Sequence, residues 1–197
     1  WLASVLPHTD SPFLLKLISL EMPATWFQSV NPFLIFSLTP VLVWFWGKQA
    51  AKKTEPTTIT KLGIGCVLFG LSYIFMLIAC HERANSAVHL ASVWWPILST
   101  VVLTVGELYL SPVGLSFVTK VAPTRLLSTL MGVWFLSSFG GNFFSGFVGS
   151  YWQKWGDLPF FILMGILPIL AGIGIFILRG FLERTTALAQ EEKKLVE

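Results

Sequence analysis

Five long apolar runs follow one another along the chain, separated by short polar segments that hold most of the charge. They are Phe27–Trp46, Leu62–Cys80, Val93–Val118, Leu126–Tyr151 and Phe160–Leu178. An apolar helix of about 20 residues crosses the roughly 30 Å hydrocarbon core of a bilayer. The pattern therefore predicts a bundle of five transmembrane helices within residues 24–182. Residues 1–23 are expected to be an external or interfacial segment, and residues 183–197 a charged cytoplasmic tail.

The composition favours the same class of protein. Hydrophobic residues make up 54% of the 197 residues and charged residues only 12%, about half the roughly 25% of a soluble domain. Two Cys are too few for a disulfide scaffold. The net charge is +3, but the charges lie in clusters between apolar runs, so we expect no nucleic-acid partner. The predicted fold class is an all-α polytopic membrane protein, with the lipid bilayer as its surroundings.

The basic residues predict the orientation. Ten of the 13 Lys and Arg residues lie in the first and third loops and the tail, and three lie in the other polar segments: Lys16, Arg83 and Lys154. Cytoplasmic loops carry the excess of Lys and Arg in membrane proteins. We therefore expect an external N-terminus and a cytoplasmic C-terminus. Because five spans with an external start are unusual for a bacterial carrier, and the first residue is Trp1, the chain is expected to be incomplete.

Glu107 is the one charged residue within the five runs. An ionised carboxylate at that depth costs several kcal/mol unless it is protonated, paired or facing water. One interpretation is a protonated side chain that hydrogen-bonds a neighbouring helix. The other is a carboxylate in a polar cavity, where it binds a cation, carries a proton, or does both in turn. Thr104 and Ser111, at i−3 and i+4, share its helical face.

Other polar positions in the runs are fewer and less specific. Gln28 and Asn31 are three residues apart in the first run, and either join helices or line a cavity. Trp134 lies in the middle of the fourth run, although Trp prefers membrane interfaces, and Ser138 follows it by one turn. The chain has no Ser/His/Asp set at membrane depth and no metal-ligand spacing. We therefore expect no enzyme activity, no metal and no cofactor.

Three motifs resemble the proton-dependent oligopeptide transporter (POT or PTR) family of the major facilitator superfamily, in its bacterial branch. Trp26–Pro32 (WFQSVNP) is similar to the start of the family's helix 8. Gly106–Ser116 (GELYLSPVGLS), followed by Thr119–Pro123, is similar to helix 10, and Met131–Leu136 (MGVWFL) to helix 11. The resemblance implies a partial major facilitator bundle, helices 8 to 12. Helix 7 and the N-terminal half of the transporter would then be partners missing from this chain.

The resemblance also implies a function and a site. The function is proton-coupled symport of di- and tripeptides across the bacterial inner membrane, driven by the proton gradient. Glu107 would meet the peptide amino terminus and take part in proton coupling, and Asn31 would contact the same end. Further substrate-binding positions implied by the resemblance are Ser111, Trp134, Phe135 and Ser138. The partners would be small peptides and protons.

Two alternatives stay open on the sequence. One is a carrier of the same fold for another solute, such as an amino acid, nitrate or a drug. The other is a non-transporting membrane subunit in which Glu107 only joins helices. A requirement for a free amine on the substrate would distinguish a peptide carrier from the first alternative.

Overall fold

The computed structural model describes residues 24–85 and 91–196, with side chains omitted at 24–28, 124 and 189–196. The predicted external segment therefore lies outside the described residues. Within the described ranges the chain is helical. Its elements are α1 (Ala24–Ala51), α2 (Thr58–Asn85), α3 (Trp94–Val121), a short 3₁₀ turn (Thr124–Leu126), α4 (Leu127–Gly149), α5 (Trp152–Trp155) and α6 (Asp157–Val196). The five apolar runs thus form the five long helices.

Four of these helices are long and apolar enough to cross a membrane: Ser29–Ala51 in α1, α2, α3 and Asp157–Leu188 in α6. Helix α4 is the exception among the five predicted spans. Its 23 residues are about 35 Å long at 1.5 Å per residue, which is enough to span. However, Asn142 and several Ser and Gly residues reduce its hydropathy. That it spans stays a prediction, supported by its length.

Helix α2 lies at the centre of the described bundle and packs against both α3 and α6. Glycines make the close approach possible. A Cβ atom on Gly65 would lie 3.0 Å from the Gly106 carbonyl oxygen of α3, and one on Gly70 would lie 2.6 Å from the Gly165 carbonyl oxygen of α6. Small residues are typical of helix contacts in membranes, where packing rather than water exclusion drives association. Helices α1 and α4 pack mainly against α3.

Polar contacts join the ends of α2 to α6. At one end, Arg83 of α2 contacts Asp157 of α6 at 2.9 Å, and Trp152 of α5 donates to the same carboxylate at 2.6 Å. At the other end, the hydroxyl of Thr57, just before α2, donates to Glu183 of α6 at 2.6 Å. These links hold α6 against α2 near both ends of α2. The face of α3 that carries Glu107 contacts α1.

Candidate functional site

Asn31 of α1 and Glu107 of α3 meet between their two helices. The Asn31 Nδ2 group donates to Glu107 Oε2 at 3.2 Å, and both residues are half-buried. This distance is at the long end of the range for N–H···O hydrogen bonds. An ammonium group bound to a carboxylate usually comes closer, to about 2.7–2.9 Å. The structure therefore gives the Glu107 carboxylate a neutral hydrogen-bond donor as its partner.

Thr104 extends this contact into a chain of three side chains. Its hydroxyl donates to Asn31 Oδ1 at 2.6 Å, and the Thr100 carbonyl oxygen lies 2.7 Å from the same hydroxyl. Thr104 is fully buried, with 0% exposure. The sequence pattern placed Thr104 on the face of Glu107, but its hydrogen bond to α1 could be found only from the packing of the two helices.

The backbone around Glu107 is shaped by two neighbours in the sequence. Gly106 lets α2 approach α3, since a Cβ atom there would lie 2.9 Å from the Phe69 backbone nitrogen. Pro112 lies inside α3 and has no N–H, so it cannot donate to the carbonyl of Leu108. Glu107 is thus placed between a tight helix contact and an interruption of the hydrogen-bond ladder. Both features fit a carboxylate held at a defined position within an apolar helix.

Trp134 of α4 lies against α3 at Gly114. A Cβ atom on Gly114 would lie 2.2 Å from Trp134 Cη2, so only glycine accommodates the ring in this position. The middle of an apolar run is an unusual position for Trp, and the structure shows that Trp134 contacts Gly114 there. The ring packs two turns along α3 from Glu107, beyond Ser111, which is exposed.

Phe135 and Ser138 are not joined to the pair by any hydrogen bond that the structure describes. Phe135 is 63% exposed on α4. The Ser138 hydroxyl donates to the Trp134 carbonyl of its own helix at 3.4 Å. Gln28, the other amide considered in the first run, has a side chain outside the described residues. The structure therefore brings Asn31 and Glu107 together and leaves Ser111, Phe135 and Ser138 on open faces.

A polar cavity of about 420 Å³ lies near the end of α3 away from Thr104, between α1, α2 and α3. Its lining includes Trp46, Lys61, Ser116 and Lys120. Lys61 is 8% exposed, forms an ion pair with Glu55 and lies 4.5 Å from the centre of the Trp46 ring. The sequence pattern does not predict this cavity, because its lining comes from loop and helix positions far apart in the chain.

The family is decided by sequence comparison, since the profile of the POT family (PTR2) matches residues 14–157, more than half of the chain. The chain belongs to the POT family. The resemblance identified from the three motifs is thereby confirmed, and the family consists of transporters. Its membership and its apolar helices make the protein a multi-pass membrane protein.

Several bacterial relatives of this POT family chain are peptide transporters by name. The peptide transporter YePEPT of Yersinia enterocolitica is 39% identical over 131 residues, which is 66% of this chain and 26% of the relative. A di-/tripeptide transporter of Lactococcus lactis subsp. cremoris is 34% identical over 79% of this chain and 30% of the relative. The chain thus spans about a quarter to a third of the length of these relatives.

Solved structures of POT transporters share the fold of this chain. A crystal structure of a peptide transporter POT in complex with sulfate superposes with a TM-score of 0.72 at 32% identity, covering 81% of this chain and 31% of that one. A POT family transporter in complex with 5-aminolevulinic acid gives 0.69 at 32% identity, covering 77% and 30%. The expected helical bundle of a major facilitator is therefore confirmed.

Proposed function

We propose that the protein is part of a proton-coupled symporter for di- and tripeptides and supplies the half of the central site that binds the peptide amine. The observation that carries the proposal is the Asn31–Glu107 hydrogen bond at 3.2 Å, formed by the one charged residue of the apolar runs. Membership of the POT family supports it, as do relatives named as di-/tripeptide transporters.

The chemistry of amine recognition follows from this pair. A peptide ammonium offers up to three N–H donors and a positive charge, whereas the Asn31 amide offers a neutral donor. In a water-poor cavity the charged partner binds the Glu107 carboxylate more strongly, and Asn31 stays beside it to accept one ammonium hydrogen through Oδ1. When the amine leaves, a proton can take its place on the carboxylate. One residue then exchanges a proton for a substrate amine.

The remaining site residues are assigned to the body of the peptide. We place Ser111 next to the amine end, one helical turn after Glu107. Trp134, Phe135 and Ser138 line a side-chain pocket on α4 that is open in this chain. The exposed aromatic surface of α4 supports this, because Phe135 and Phe139 are 63% and 67% exposed. The N-terminal half of the transporter would face this surface across the central cavity.

The proposed setting is the bacterial inner membrane, with the C-terminus in the cytoplasm. Transport is driven by the proton gradient without a cofactor, and alternating access comes from rocking of the two halves around the shared site. Peptide and proton enter from the outside while Glu107 is accessible there. Residues 1–23 lie at the external surface and residues 183–197 in the cytoplasm, as the distribution of Lys and Arg indicates.

The test is uptake of a labelled dipeptide by the full-length parent protein in proteoliposomes, with and without an inward proton gradient. We expect accumulation driven by the gradient and inhibited by unlabelled di- and tripeptides. Glu107→Gln keeps the shape of the side chain but cannot be ionised, so gradient-driven uptake should be lost. Glu82→Gln, at the exposed end of α2, is the matched control and should transport like the wild type.

Three results would contradict this proposal in different ways. Normal gradient-driven uptake by Glu107→Gln would remove Glu107 from the coupling mechanism. Equal inhibition by free and N-acetylated dipeptides would contradict recognition of the amine. If the wild type takes up no dipeptide under either condition, the proposed substrate would change to another solute within the same family.

A further inference from the structure

The Thr104 hydroxyl has two oxygen acceptors within reach. Asn31 Oδ1 lies at 2.6 Å and the Thr100 carbonyl oxygen at 2.7 Å. A hydroxyl carries one hydrogen and two lone pairs, so it donates to one acceptor at a time and can also accept. Thr104 can therefore serve Asn31 as a donor or as an acceptor without moving its oxygen.

We propose that Thr104 is a positioning residue that keeps the Asn31 amide paired with Glu107 in both protonation states of the carboxyl group. The inference rests on the proposed function, and it adds a residue that the motif resemblance does not assign.

The arrangement in the structure fits the ionised carboxylate. The Asn31 Nδ2 group donates to Glu107 Oε2, and the Thr104 hydroxyl donates to Asn31 Oδ1. The hydroxyl thereby fixes which end of the amide faces Glu107. Thr104 itself is fully buried.

When Glu107 is protonated, the opposite arrangement pairs its new O–H with Asn31. The new O–H of the carboxyl group needs an acceptor, and a half-turn of the Asn31 amide supplies Oδ1. The Asn31 Nδ2 group then donates to Thr104 Oγ, and the Thr104 hydroxyl turns to the Thr100 carbonyl. The one added proton stays on Glu107, no covalent bond of Asn31 or Thr104 changes, and these three side chains stay joined.

The change of hydrogen-bond partners involves Thr104, Asn31 and Glu107, and the charged side chains around α3 take no part in it. Helix α4 contributes no ionisable residue. Among the charged side chains that the structure describes on helices packed against α3, those with described partners are Lys48 over the Trp44 ring, Lys61 with Glu55, Glu82 with Trp95, Arg83 with Asp157 and Arg179 with Glu183. Lys61 lies one turn before Gly65, the residue opposite Gly106, and its ammonium is held by Glu55 and Trp46.

The transport test compares Thr104→Val with Thr104→Ser in the full-length parent protein. Valine keeps the shape of threonine but has no hydroxyl, so the amide loses its partner in both states. An amide that has lost its hydrogen-bond partner no longer holds Glu107 in a fixed way, so we expect gradient-driven uptake to fall roughly tenfold. Gradient-free counterflow of the same dipeptide needs no change in protonation and should fall much less. Thr104→Ser should retain both activities.

Thr39→Val is the matched control, because the Thr39 hydroxyl bonds only to the Ile35 carbonyl of its own helix among the contacts described. The variant also removes a threonine hydroxyl, but from outside the three joined side chains, and should transport like the wild type. Wild-type gradient-driven uptake by Thr104→Val would overturn the proposal. So would an equal loss of driven uptake and counterflow that Thr104→Ser does not restore, since that indicates a structural role alone.

An infrared measurement separates failure of this inference from failure of the proposed function, because it needs no transport. In the difference spectrum between acidic and neutral buffer, we assign to protonated Glu107 the C=O stretch that is missing from Glu107→Gln. Thr104→Val should shift this band to higher frequency, as expected for a carboxyl group that has lost its acceptor, and Thr104→Ser should not. An unshifted band in Thr104→Val overturns the proposal even if the wild type transports no peptide.

Discussion

At the residue scale, the site depends on one carboxylate and the neutral groups that hold it. An ionised Glu107 within an apolar helix costs free energy. In the described residues its hydrogen-bond partner is an amide from α1 rather than a basic residue. A salt bridge would hold the carboxylate permanently ionised. In the function proposed above, the neutral amide lets a peptide amine or a proton take its place on the carboxylate.

The contact between Gly114 and Trp134 gives a prediction at the same scale. Gly114→Ala places a methyl group about where the Trp134 ring now lies, 2.2 Å from Cη2. Overpacking of this kind costs about 1–3 kcal/mol, so the ring should leave α3 and narrow the proposed side-chain pocket. We expect the KM for dipeptides with bulky side chains to rise roughly tenfold, with a smaller effect on dialanine.

Gly132→Ala is the control for this variant, because a Cβ atom on Gly132 meets nothing within 4 Å. Uptake kinetics for dialanine and diphenylalanine should be measured for both variants. If both variants shift KM alike, or if Gly114→Ala affects the two peptides equally, Trp134 does not shape a side-chain pocket.

At the scale of elements, α2 is the helix on which the described bundle depends. It contacts α3 through Gly65 and α6 through Gly70, and each crossing leaves no room for a side chain. The periodicity of α2 identified an apolar helix, but it did not indicate that this helix would be central. Glycine is common in membrane helices for several reasons, so the sequence does not show which residue lies opposite each glycine. The packing of the three helices shows this.

Gly70→Ala tests this role through stability. The new methyl group would lie 2.6 Å from the Gly165 carbonyl oxygen, so α6 must move away. We expect a loss of about 1–3 kcal/mol, measured as a lower midpoint of thermal unfolding in detergent. Gly174→Ala is the control, since its Cβ atom meets nothing within 4 Å and alanine favours helix by up to about 1 kcal/mol. A midpoint for Gly70→Ala at or above that of Gly174→Ala would contradict the tight crossing.

At the scale of the whole molecule, the orientation in the membrane is the property that the charge pattern predicts. Single-cysteine variants test it, made in a background in which Cys66 and Cys80 are replaced by serine. In Lys154→Cys the new thiol should react with a membrane-impermeant maleimide in intact cells, because its segment is expected outside. In Lys52→Cys it should react only after permeabilisation. The reverse pattern would invert the proposed topology and place the C-terminus outside.

The sequence by itself determined the long helices, the family and the identity of the central carboxylate. These follow from local properties: the length of an apolar run, the charges that interrupt it, and motifs such as Gly106–Ser116 that lie within one helix. Each can be found without knowing which helices are neighbours. Asn31 and Glu107 were both identified in this way, and the family resemblance assigned both to the same end of the peptide.

Only the tertiary structure decided how these residues are held. Asn31 and Glu107 are 76 positions apart, and their hydrogen bond depends on how α1 crosses α3. Helix crossings also determine the hydrogen bond from Thr104 to Asn31 and the packing of Trp134 against Gly114. The central position of α2 depends on them as well. The physical reason is that periodicity defines the faces of one helix, whereas the choice of facing partner is made by close packing between helices.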